Sequence, residues 1–124
     1  MAGLKLDGAG QAKMASLEEA QTIFSRAFAA VENYALAVKR NQPTGGYMTN
    51  YKRQMPALAS KLKGQFGMIS DLVTAVSMSS TRGASDQMRV RSMREGMAAI
   101  KVQLEIAVAQ TIAKHEAKDH DDAQ

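Results

Sequence analysis

The chain has 124 residues, 45% of them hydrophobic, with two prolines, no cysteine and a formal net charge of +4. That length fits one domain with a modest core, the missing cysteine excludes disulfide and thiolate chemistry, and no apolar run reaches the ~20 residues of a bilayer-spanning helix. Residues 1–16 lack the apolar core of a secretory signal, so the expectation is a soluble, cytoplasmic chain.

Residues 1–15 contain Gly3, Gly8 and Gly10, show no sustained period and are expected to form a flexible arm. Ser16 and Glu19 have capping-box spacing, which predicts a helix from Ser16 to about Arg40. Its stripe is Leu17, Ala20, Phe24, Ala27, Phe28, Val31, Ala35 and Val38. Residues 41–55 carry Pro43, Gly45 and Gly46, which break the helix and leave room for a short extra one near 47–55. Pro56 fits the first turn of a second long helix, where its missing donor is harmless. From there Met55, Ala59, Leu62, Phe66, Ile69, Val73 and Val76 form a stripe that runs to about Ser79. The opposite side is lined by small residues, Gly64 and Gly67 among them. Each mid-helix glycine costs about 1 kcal/mol against alanine, and close approach of another helix would give that cost a purpose.

Ser79, Ser80, Thr81 and Gly83 mark a turn, after which Ser85 caps a helix with Asp86 in its first turn. The stretch 85–118 dominates the chain because it is apolar on two faces. Val90, Met93, Met97, Ile100, Leu104, Val108 and Thr111 fall on one stripe. Val102, Ile106, Ala109 and Ala113 lie roughly 160° away at 100° per residue, where a helix on a monomer surface should be polar. The second half of this helix therefore needs two neighbours, within its own bundle or on another chain. Beyond it, residues 119–124 are expected to be a disordered acidic tail. The fold class is all-α, an antiparallel up-and-down bundle of three long helices spanning 16–118.

Several residue sets bear on function. Val102, Ile106, Ala109 and Ala113 with Gly64, Gly67, Met68, Met78 and Met88 form the expected protein interface, the three methionines because they lie off the core stripes. Arg82, Arg89, Arg91, Arg94 and Lys101, with Tyr47, Tyr51, Lys52 and Arg53, form an alternative phosphate-binding surface with aromatics to stack on bases. His115, Glu116, Asp119 and His120 are the one cluster of metal-ligand types, with His115 and Asp119 four apart, yet a solubilising tail explains them better. There is no cysteine nucleophile, no glycine-rich phosphate loop after a strand, and no carboxylate pair on an apolar face. No catalytic residue, cofactor or small-molecule substrate is expected. The sequence reads as a non-enzymatic assembly or adaptor subunit that self-associates or binds a helical partner. The alternatives are a nucleic-acid-binding protein and a small chaperone or structural component of a secretion or filament system.

Overall fold

A computed structural model describes residues 6–116, and among them four helices form an all-α bundle: α1 (Gly8–Lys39), α2 (Gly45–Lys63), α3 (Gly67–Ser79) and α4 (Asp86–His115). The helices pack in a ring in which α1 touches α2 and α4, and α3 touches the same two, with nothing closing the diagonals. Cross-links show that neighbours run antiparallel. Ser70 Oγ donates to the Ala59 carbonyl at 2.8 Å and the Tyr51 and Ser80 hydroxyls share a bond of 2.7 Å, so advance along α2 is retreat along α3. Glu32–Arg94 and Asp7–His115 do the same for α1 and α4.

The count is four helices rather than three long ones and a short one, because the break falls elsewhere than expected. Residues 47–55 are not a separate helix: α2 runs from Gly45 through Pro56. Pro56 and Lys52 are both exposed, so the carbonyl that loses its partner can turn to water. The chain instead reverses at Gly64–Phe66, where weak helix formers coincide with Phe66, whose φ of −134° and ψ of 57° leave the helical region. Gly64 and Gly67 thus serve a turn, not a helix face. The stripe itself survives the break, with Met55, Leu62, Ile69, Val73 and Val76 buried and Ala59 and Phe66 packed against the core.

Helix α1 starts eight residues before Ser16. Asp7 is its N-cap, extended in backbone and accepting from the Gly10 N–H at 2.7 Å, so most of the expected arm is helical. Gly10 is buried against α4, and a Cβ there would overlap the Cβ of His115. Gly96 plays the same part between α4 and Val76 of α3. At its other end α1 stops as its basic last turn implies. Gln42 N–H reaches the Ala37 carbonyl, Asn41 N–H reaches that of Val38, and Asn41 takes the left-handed conformation with φ 54°. The residues before 6 and the acidic 119–124 stretch lie outside the described residues.

The core contains Leu17, Val31, Met55, Leu58, Met93, Met97, Ile100 and Leu104. On α1 the buried face is turned from the expected one: Ala30, Tyr34 and Ala37 go in, while Phe28 is 46% exposed. A helix wedged between two neighbours buries the bisector of its two contacts, and that direction is fixed by tertiary placement. Because α2 and α3 are short, α1 beyond residue 16 toward its start and α4 beyond residue 106 project past the α2–α3 turn as a two-helix extension.

Candidate interaction surface

Among the described residues nothing covers the second apolar face of helix α4. Ser85 caps the helix, its Oγ accepting from Met88 N–H at 3.2 Å with Asp86 in the first turn, and the stripe of Met93, Met97, Ile100, Leu104, Ala107 and Thr111 turns into the bundle. Rotation by half a turn brings Val102, Ile106, Ala109 and Ala113 outward. Val102 is 50% exposed and Ile106 41%, and the two alanines are exposed as well. With Ala98 and Ala99 they form a strip free of charge for about 22 Å of helix.

At the step where α2 and α3 end, the strip borders a groove of about 340 Å³ lined by Phe66, Gly67, Met68, Ile106, Gln110 and Thr111 among others. Met68, on the first turn of α3, is 88% exposed at its edge. The structure therefore brings Gly67, Met68 and Ile106 together, with Gly64 in the adjoining turn. Met78 and Met88 are exposed too, but they flank the α3–α4 turn at the opposite end of the bundle.

The extension is closed by a polar clamp. Leu6 and Glu116 pair as an isolated bridge, and Asp7 N–H donates to the His115 carbonyl at 3.0 Å. His115 Nδ1 lies 3.2 Å from Asp7 Oδ1 and its Nε2 lies 3.0 Å from Lys13 Nζ, an arrangement that suits Nδ1–H donating to Asp7 and Nε2 accepting from lysine. The Gly10 N–H bond and then the His115 contact hold the Asp7 carboxyl below its ordinary range. Asp119 and His120, the other members of the expected ligand-type cluster, lie outside the described residues.

The arginine and tyrosine set is divided. Arg89 is tied down by Asp86 at 2.6 Å, by the Gly83 carbonyl at 2.6 Å and by the Tyr34 hydroxyl, which itself donates to Asp86 at 2.7 Å. The Tyr34 bond, then Arg89, lowers the Asp86 pKa, and burial raises that of Tyr34. Arg94 forks onto Glu32 at 3.0 and 2.8 Å, which lowers the Glu32 carboxyl. Tyr51 is buried, 1% exposed, its pKa raised by burial, and is therefore removed from any stacking platform. Tyr47, Arg82, Arg91 and Lys101 are exposed. Lys52 and Arg53 are exposed on α2, diagonally across the bundle from α4, so the nine residues do not share one face.

One feature carries no warning in the motifs. An open groove of about 1110 Å³ between α1 and α4 is lined by the apolar Leu36, Val38 and Val90 and the charged Lys39 and Arg91 among others. Leu36 is off the α1 stripe, the one cue the sequence offers. Compared with protein families, curated proteins and solved structures, the chain matches none.

Proposed function

We propose that the protein is a non-enzymatic assembly subunit whose α4 strip packs on the same strip of a second copy. The observation that carries this reading is the half-exposure of Val102 and Ile106 with the four described helices packed together. An antiparallel two-fold arrangement about the middle of the strip sets Val102 of one copy opposite Ala109 of the other, Ala98 opposite Ala113, and Ile106 beside its own counterpart at the two-fold. Alanine at these positions permits the 8–10 Å axis separation of packed helices. The strip alone, about 22 Å by 10 Å, offers on the order of 200 Å², or about 5 kcal/mol before ordering costs. A standard interface uses roughly 800 Å² from each partner, so the groove beside Met68 must contribute.

Ile106→Asp tests this directly. It should convert the assembly to a monomer in light scattering while far-ultraviolet circular dichroism stays helical. An unchanged mass would sink the proposal, and so would a wild-type protein that is monomeric at high micromolar concentration.

A further inference from the structure

All seven arginines of the chain lie in one half of the bundle, the half that carries the α1–α2 loop and the α3–α4 turn. Residues 24–54 and 74–98 hold nine cations against three carboxylates, whereas the other described residues hold five against six. Two of the three carboxylates, Glu32 and Asp86, are occupied by Arg94 and Arg89. Only Glu95 remains to offset the rest. Lys39, Arg40, Lys52, Arg53, Arg82 and Arg91 are exposed, and none has a salt-bridge partner among the described residues. At 1.5 Å per residue all six stand within about 12 Å of the loop end along the bundle axis.

Apolar side chains are set among them. Tyr47 lies in the first turn of α2, Met78 in the last turn of α3 and Met88 in the first turn of α4, and all three are exposed. From this pairing of free cations with exposed amphipathic and thioether side chains we infer that the loop end docks on an anionic phospholipid surface. The cations meet headgroup phosphates while Tyr47, Met78 and Met88 enter the headgroup boundary. No helix among the described residues is long and apolar enough to cross a membrane, so the contact is peripheral. A nucleic-acid strand fits less well: with Tyr51 buried, Tyr47 is the one exposed aromatic among the described residues within about 12 Å of the loop end, and a phosphate–sugar backbone has no use for two methionines. The surface is separate from the α4 strip, and its partner is a different one.

The test is co-sedimentation of the full chain with vesicles of phosphatidylcholine alone or mixed two to one with phosphatidylglycerol. At about 0.1 M salt, where screening acts over about 10 Å, the protein should sediment with the mixed vesicles only. The Arg40→Ser/Arg82→Ser/Arg91→Ser variant should lower partitioning on the order of 100-fold, about fivefold for each cation. Met78→Ser/Met88→Ser should lower it by about tenfold. Lys61→Ser/Lys63→Ser/Lys114→Ser, with equal charge lost at the other end, should stay within about twofold. For the unmodified protein, partitioning should fall sharply at about 0.5 M salt. The inference is overturned by equal sedimentation with phosphatidylcholine, by none with the mixed vesicles, by retention at high salt, or by equal loss in the two triple variants. It is also overturned if duplex DNA strips the protein from vesicles through the same arginines, which would assign the end to nucleic acid.

Discussion

The two ends of the bundle solve the problem of ending a helix pack in different ways. At the loop end all four helices are present, turns are short, and polar side chains are bound in a network: Arg89 joins Asp86, Tyr34 and Gly83, and Tyr51 joins Ser80 inside the core. At the far end only α1 and α4 continue, and a glycine contact and a three-residue polar clamp hold them together. The first end is thick and strongly basic. The second is thin, nearly neutral and apolar along the outer side of α4. Stability should therefore be cooperative in the thick section and local in the extension, because few buried contacts tie the extension to the rest.

The largest effect should come from the thick section. Met97 is 1% exposed, and Met97→Ala should lower global stability by about 3 kcal/mol in denaturant unfolding, whereas Ile112→Ala, half-buried in the extension, should cost about 1 kcal/mol. Equal losses would erase the distinction. Next in size, Gly10→Val forces a side chain into His115 and should cost about 2 kcal/mol, seen as faster hydrogen exchange across 8–16 and 106–115 with the core still protected. A smaller loss, about 1 kcal/mol, is expected for Tyr51→Phe, which leaves the buried Ser80 hydroxyl without its partner.

The smallest effect is acid sensitivity. Asp7, Glu32 and Asp86 have folded-state pKa values below the ordinary carboxylate value, so the unfolded chain binds more protons in that range. Their contributions are full above the unfolded pKa and disappear as pH falls through the folded values. Glu32 with Arg94 is an exposed pair worth at most about 1 kcal/mol. Asp7→Asn keeps the cap oxygen and removes the charge, so it should flatten the dependence of exchange protection in the extension between pH 6 and 3. A curve identical to that of the unmodified protein would show that the clamp charge contributes nothing.

Legibility followed locality. The start of α4 was readable because Ser85 and Asp86 act on the next three residues, and the buried stripes of α3 and α4 were readable because period and burial coincide. The start of α1 was not, since Gly10 looks like a breaker until α4 lies against it, and a capping-box spacing at Ser16 and Glu19 is indistinguishable from two surface residues of a longer helix. Pro56 misled for a similar reason. Its tolerance depends on which side of α2 faces water, and that is decided by α1 and α3. For the candidate surface, exposure of Val102, Ile106 and the three off-stripe methionines was readable, but the gathering of Met68 beside Ile106 depends on where α3 stops.

The bridge between Leu6 and Glu116 places both described chain ends at one corner, at the far side from the α1–α2 loop. The path of the backbone is thus nearly a closed loop. Joining those ends with a short linker and opening the chain between Asn41 and Thr44 would keep every helix-to-helix contact, so a circular permutant should fold to the same bundle. Its new ends would emerge beside the arginines, about 45 Å along α4 from the Leu6–Glu116 bridge, which would put a fluorescent label at whichever pole is to be watched.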